Sequence, residues 1–180
     1  EATREVIVDG WFHTGDIGRL DAEGYLSITD RKKDLIKTAS GKFVAPQKLE
    51  GLLMADPWIS QAFVYGDRRP YCVALIVPKL GQLRRYAQEQ EISAYSLPEL
   101  INDPRVRELY WAKVQVRQQH LASFEQVKRI ALLDAEFSQA SGELTPTLKA
   151  KRQIIAARHE PLLRSLYESV PTEGEGSAHR

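Results

Sequence analysis

Three stretches of this chain carry residue types that could do chemistry. The first is Thr14-Gly15-Asp16. Glycine lets a backbone turn tightly and lets another group come close. An Asp held there can accept two hydrogen bonds from a vicinal diol, as an acid does on a ribose. The same tripeptide also fits an ordinary turn whose Asp caps its own backbone. The second stretch is Asp30-Arg31-Lys32-Lys33-Asp34-Leu35-Ile36-Lys37, followed by Ser40-Gly41-Lys42, with four cations among the first eight residues. Arg31 could grip a phosphate bidentately or anchor a ribose oxygen. A solvated connector is the alternative. A nucleic-acid patch fits less well, because Asp30 and Asp34 interrupt the run and no aromatic residue interleaves it. The third stretch is Gly142-Glu143-Leu144-Thr145-Pro146-Thr147-Leu148-Lys149-Ala150-Lys151-Arg152. A Gly/Pro/Thr loop delivers a lysine to the start of a helix, where it could meet developing negative charge as a point cation. The competing reading is an N-capped helix with a basic surface.

Other chemistry finds little support. His13, His120, His159 and His179 show no ligand spacing, so no metal site is expected. There is no Gly-x-Ser-x-Gly elbow and no P-loop. Cys72 lies in an apolar run, where a small buried hydrophobe is expected rather than a nucleophile.

The elements that must position these residues can be traced along the chain. Residues 1–30 read as short β elements and turns, broken at Asp9-Gly10, Gly15-Asp16 and Asp21–Gly24, without apolar mass for a core of their own. A polar break at 30–34 leads to a brief strand at Leu35–Lys37 and a turn at Ser40–Lys42. Pro46 opens a helix to about Ala55, at the first turn where its missing N–H costs nothing. Residues 59–66 and 71–78 form a hairpin, and the run Tyr71–Val77, apolar on both faces, is expected at the centre of a sheet. A short helix follows at 81–90. A longer one opens at Asp103-Pro104 and carries Val106, Leu109, Tyr110, Val114, Leu121 and Phe124 at helical spacing. Val127–Leu133 is a third strand. Helices are expected at Leu148–Arg158 and from Glu160-Pro161, with Leu162, Leu163 and Leu166 inward. The body is therefore α+β: a small β-sheet flanked by helices mostly on one side, preceded by a short β strip.

Composition narrows the classes. The chain has 180 residues, 25 Lys+Arg against 24 Asp+Glu, a net charge of +1 and one cysteine. A dedicated nucleic-acid binder usually has a clear basic excess. No apolar run approaches the roughly 20 residues of a membrane span, and one cysteine cannot build an internal disulfide framework. The expected setting is cytoplasmic. The start at Glu1, without Met and in mid-strand, reads as the interior of a larger protein, and the Gly/Ser/Glu-rich residues 171–180 read as a disordered tail.

The stretches Gly10–Gly18, Gly24–Lys37 and Gly41–Glu50, in this order and spacing, closely resemble the C-terminal part of adenylate-forming enzymes. That superfamily holds acyl-CoA synthetases, luciferases and peptide-synthetase adenylation domains. Gly142–Arg152 resembles its last motif. The wording Leu-Thr-Pro-Thr-Leu-Lys-x-Lys-Arg, with the helical insert at about 93–124, looks most like the long-chain fatty acid–CoA ligase branch.

The resemblance implies a division of the chain into the last β strip of a large adenylating domain (1–30), a hinge (31–33), a small mobile C-terminal domain (34–170) and the tail. It implies that Asp16 holds ribose hydroxyls of ATP or acyl-adenylate and that Arg31 contacts the ribose and phosphate region. Lys33 is implied as the hinge about which the small domain swings between half-reactions. Gly41, with Ser40 and Lys37 beside it, is implied on the loop presented to CoA during thioester formation. Lys149 is implied as the catalytic lysine of adenylation. Lys151 is its fallback, because the glycine usual before that lysine is Leu148 here. ATP, Mg²⁺ and CoA are the implied cofactors, a fatty acid the substrate, and an N-terminal domain the partner. Peripheral membrane association of the longer enzyme is admitted, as is a homodimer or strand swap through residues 1–30. The chain by itself is expected to be inactive. Two alternatives stay open: a fatty acyl-AMP ligase that loads a carrier protein, and a stand-alone interaction module.

Overall fold

The computed structural model describes residues 6–93 and 96–168. The expected tail at 171–180 lies outside them, as do Glu1 to Glu5.

The strip comes first. β1 (Ile7–Val8) and β2 (Trp11–Phe12) pair antiparallel around Asp9-Gly10, both at positive φ. β3 (Asp16–Leu20) pairs antiparallel with β4 (Leu26–Arg31). Asp21 closes their connection by accepting the backbone N–H groups of Glu23 and Tyr25 on Oδ1. β4 runs further than the sequence suggested, through Asp30 and Arg31, because these residues pair with Ile17 and Asp16. The polar break is therefore shorter than 30–34: it is a turn in which the Asp34 N–H donates to the Arg31 carbonyl at 2.9 Å. β5 (Ile36–Lys37) and β6 (Phe43–Val44) form a second small ribbon. Its loop closes with Gly41 at φ 78, where glycine escapes the steric penalty of a side chain.

The core is built on three strands in the order β7 (Ile59–Tyr65), β8 (Cys72–Pro78), β9 (Val127–Leu132). β7 and β8 are antiparallel, and β8 and β9 are parallel. Every residue of β8 is buried, as expected for a central strand with both faces covered.

One face, through Val64, Ala74, Ile76 and Val127, packs on α1 (Pro46–Met54), α2 (Leu80–Glu89), α3 (Leu97–Asn102) and α4 (Pro104–Gln118). In α4 the inward positions are Val106, Tyr110, Val114 and Gln118, one stripe at four-residue spacing. The helix ends at Gln118, so Leu121 and Phe124 lie beyond it. The separate α3 went unseen in the sequence, although Ser96 and Glu99 make a reciprocal capping box at its start.

The other face, through Phe63, Val73, Leu75 and Val77, packs on Ile155, Leu163 and Leu166. Ile155 belongs to α5 (Arg152–Arg158), Leu163 to α6 (Glu160–Ser165), and Leu166 caps α6. The sheet is thus covered on both sides, more evenly than the sequence suggested. α5 also starts four residues later than expected. Leu148 sits at φ 60, in left-handed backbone that no helix can contain, and the first α5 residue is Arg152.

Candidate active site

The pairing of β3 with β4 sets Asp16 directly across from Arg31. The Arg31 Nε donates to Asp16 Oδ1 at 2.9 Å. The Asp16 N–H is taken by Thr14 Oγ1 at 3.1 Å, so the expected turn capping does occur, with Thr14 rather than Asp16 as the acceptor. One residue beyond the pair, the Lys32 N–H donates to the Gly15 carbonyl at 2.8 Å. The Asp–Arg pair therefore sits on hydrogen-bonded backbone at both positions.

Lys149 comes from a loop more than a hundred residues later in the chain. It lies in a hairpin rather than at a helix start: Leu144 bridges to Ala150, and the Thr145 N–H donates to the Lys149 carbonyl at 2.8 Å. The Lys149 N–H returns a bond to Thr145 Oγ1 at 3.0 Å. The Thr-Pro-Thr wording thus forms a self-bonded tip that holds the lysine out in solvent. Leu148 occupies the left-handed position beside it at φ 60, the backbone shape that glycine adopts without strain.

Asp16, Arg31 and Lys149 line one cleft of about 1030 Å³. Its walls include Ile28 of β4, Asp34 of the turn, Gln47 and Met54 of α1, Gln61 of β7, and Arg152. Of the residues marked in the sequence, the structure thus brings Asp16, Arg31 and Lys149 to one place. Lys33, Lys37 and Gly41 do not line this cleft. Lys33 lies in the Arg31–Asp34 turn, and Lys37 and Gly41 belong to the β5–β6 ribbon. That ribbon rests on the β7–β8 turn: the Arg68 N–H donates to the Lys37 carbonyl at 2.8 Å and the Ala39 N–H to the Arg69 carbonyl at 2.9 Å. A Cβ placed on Gly41 would meet nothing within 4 Å, so the space beside it is open.

Sequence reasoning missed the residues that hold the lysine hairpin. Arg152 Nη1 donates to buried Glu50 Oε1 at 2.8 Å, while its Nη2 reaches the Val64 carbonyl. Glu50 also accepts the Val64 N–H at 2.8 Å, and the Arg152 guanidinium lies 4.6 Å from the centre of the Phe63 ring. The start of α5 is thus fastened to α1 and β7 at once. At the hairpin's base Glu143 is buried beside Ser141, Arg158 and His159. Burial works to raise its carboxyl, but hydrogen bonds from Ser141 and His159 and the charge of Arg158 prevail and hold it below the ordinary value. A charged residue two apart from a serine gave no local sign of this burial.

Among the described residues, no group of three His, Cys, Asp or Glu is arranged to hold a metal ion, and no helix is long and apolar enough to cross a membrane.

The fold recurs in solved adenylation domains. The adenylation domain of a carboxylate reductase from Mycobacterium chelonae superimposes with a TM-score of 0.76 at 28% identity, over 92% of this chain and 24% of that one. The adenylation–carrier didomain of a carboxylic acid reductase from Segniliparus rugosus, solved with AMP, gives 0.75 at 27% identity over 93% of this chain and 22% of that one. The fold is thus that of an adenylate-forming domain. More narrowly, the family model for the AMP-binding enzyme C-terminal domain matches residues 33–171, and the chain belongs to that family.

Its curated relatives include the long-chain-fatty-acid–CoA ligase FadD15 of Mycobacterium tuberculosis, 39% identical over 93% of this chain and 28% of the relative. Long-chain-fatty-acid–CoA ligase 5 of mouse is 39% identical over 94% of this chain and 25% of the relative. The peroxisomal long chain acyl-CoA synthetase 7 of Arabidopsis thaliana is 36% identical over 94% of this chain and 25% of the relative. The chain thus spans about a quarter of the length of the relatives it matches.

Proposed function

We propose that this chain is the C-terminal portion of an ATP-dependent long-chain fatty acid–CoA ligase. The enzyme would convert fatty acid, ATP and CoA to acyl-CoA, AMP and diphosphate by way of an acyl-adenylate. The observation that carries this reading is the convergence of Asp16, Arg31 and Lys149 on one cleft. The cleft is lined by the carboxylates Asp16, Asp34, Glu50 and Glu136 and the cations Arg31, Lys149 and Arg152; among them an acceptor for a diol (Asp16) and cations for phosphates (Arg31, Lys149) suit a nucleotide.

ATP is the substrate whose phosphoanhydride drives activation of the fatty carboxylate, with Mg²⁺ accompanying its phosphates. On this reading Asp16 accepts ribose hydroxyls, and the Arg31 bond to its Oδ1 keeps the carboxylate turned toward them. Lys149 offers its ammonium to the negative charge that gathers between carboxylate and phosphate as the new bond forms. The left-handed backbone of Leu148 supports Lys149 over Lys151, since that is where a glycine-lysine pair would put its glycine. Lys151, unlike Lys149, does not line the cleft. For the thioester step Lys149 must withdraw and the Gly41 loop must present its open side to the CoA thiol arm, with Lys33 in the turn that allows the swing.

The test uses the enzyme in which this chain is joined to its large domain. Lys149→Ala should slow acyl-adenylate formation, read by pyrophosphate exchange, by about 10²–10³-fold. It should leave thioester formation from supplied acyl-adenylate intact, and Lys151→Ala should behave like the parent. Equal loss in both half-reactions, or a larger loss from Lys151→Ala, refutes the assignment. Transfer of the acyl group to a carrier protein and not to CoA would move the enzyme to the carrier-loading class.

A further inference from the structure

The root of the Lys149 hairpin holds a carboxylate that the proposed chemistry does not use. Glu143 is 4% exposed. Its carboxylate accepts hydrogen bonds from Ser141 Oγ and from His159 Nε2, the latter at 3.1 Å, and Arg158 Nη1 stands 3.4 Å away. Its backbone carbonyl meanwhile accepts the Lys151 N–H. Glu143 precedes one foot of the hairpin (Leu144) and Lys151 follows the other (Ala150). One residue therefore ties both feet, by its backbone to each other and by its side chain to the corner between α5 and α6. That corner is itself fixed, since Ile155 and Leu163 are buried against the sheet. His159 adds an edge-on ring contact with buried Phe137, 6.0 Å between centres.

The arrangement is more than a surface hairpin needs. Turn chemistry alone closes the tip, through Thr145 and Lys149. Burying a carboxylate is unfavourable unless partners compensate its lost hydration, and a hairpin that only had to fold could use an apolar residue there. What the buried carboxylate adds is direction. The tip is a small self-bonded unit, so where it points is set at its feet.

We propose that Glu143 is a positioning residue for Lys149, locking both feet of the lysine hairpin to the α5–α6 corner so that the ammonium stands at a fixed place on the cleft wall. This rests on the adenylation role proposed for Lys149. The charged or titratable side chains that face the carboxylate are Arg158, from α5, and His159, from the corner.

The test replaces the charge and keeps the shape, in the enzyme joined to its large domain. Glu143→Gln should lower kcat of adenylation about ten- to a hundredfold, as a misplaced catalytic group does. The KM for ATP should change less than about twofold and thioester formation should be unchanged, as for loss of a transition-state contact. In a Lys149→Ala background Glu143→Gln should cause no further loss, because both act through one group. The milder Ser141→Ala, which keeps the charge, should show the same pattern at smaller size. Hydrogen exchange on the same enzyme should find the Lys149 and Lys151 amides at least tenfold less protected, with Ile76 of β8 unchanged.

Equal losses in both backgrounds, or a fall in both half-reactions, would make Glu143 a general stability residue and overturn the proposal. So would unchanged exchange at the two lysine amides. If instead Lys149→Ala leaves adenylation intact, the function proposed above fails, while the exchange result still decides whether Glu143 holds the hairpin.

Discussion

Cys72 shows how far burial can silence a reactive group. The thiol is fully buried in β8, and desolvation pushes its pKa up to about 11. The thiolate is the reactive form, so native Cys72 should resist a thiol reagent at pH 8 and react promptly only in denaturant; stoichiometric labelling of the folded protein would contradict this. The sign of the linkage also follows. The unfolded thiol ionises near 9 while the folded one does so near 11, so stability is full below about pH 9 and falls as pH rises toward 11. At the same scale the sequence was informative wherever chemistry is written locally. Asp16, Arg31 and Lys149 could be marked because glycine, proline and charge surround them. Glu143, Glu50 and Arg152 could not. Glu50 and Arg152 pair across 102 residues of chain, and Glu143, although its partners are near in sequence, looks like any surface acid until it is folded.

Elements were legible where a period or a punctuating residue fixed them. The helix opened by Pro46, the fully apolar β8 and the hairpin around Gly66–Pro70 were all readable. The start of α5 was not, because nothing in Leu148-Lys149-Ala150-Lys151 resists a helix locally; the hairpin wins through the Leu144–Ala150 bridge and the Glu143–Lys151 bond. The end of α4 was missed for a similar reason. Its apolar stripe closes on Gln118, a polar residue only 1% exposed. There the side-chain amide donates to the Val127 carbonyl and accepts the Val127 N–H, each at 2.9 Å. It fastens the helix end to the first residue of β9. Gln118→Leu should therefore strand two buried backbone groups and cost about 2–4 kcal/mol, read as a lower urea midpoint with unchanged slope. A loss below about 1 kcal/mol would show that the two groups find other partners.

For the whole molecule, the arrangement of strip, turn and sheet constrains how it can move. Asp16 and Arg31 are bound to each other and to the strip, whereas Lys149 belongs to the far side of the Arg31–Asp34 turn. Any swing at that turn moves the lysine away from an Asp–Arg pair that stays together. A proline in the turn restricts the swing, because its ring fixes φ near −65°. On the function proposed above, and in the longer enzyme it implies, Lys33→Pro should slow thioester formation by about tenfold or more while adenylation falls less. Unchanged thioester kinetics would remove Lys33 from the hinge. In sequence the strip residues precede the turn and the lysine follows it. Which residues share a wall was not legible, because β4 reaches Arg31 only through its pairing with β3.

The sheet order bears on how the chain is made. β8 pairs at once with its neighbour β7, but its other edge waits for β9, which follows only after α2, α3 and α4. A ribosome that adds residues one at a time must therefore present an apolar strand with one open side until the helical insert has been synthesised. Such edges attract pairing from other chains. The insert does more than fill space over the sheet: its length sets how long the nascent protein stays exposed, and Gln118 at its end delivers the strand that closes the gap.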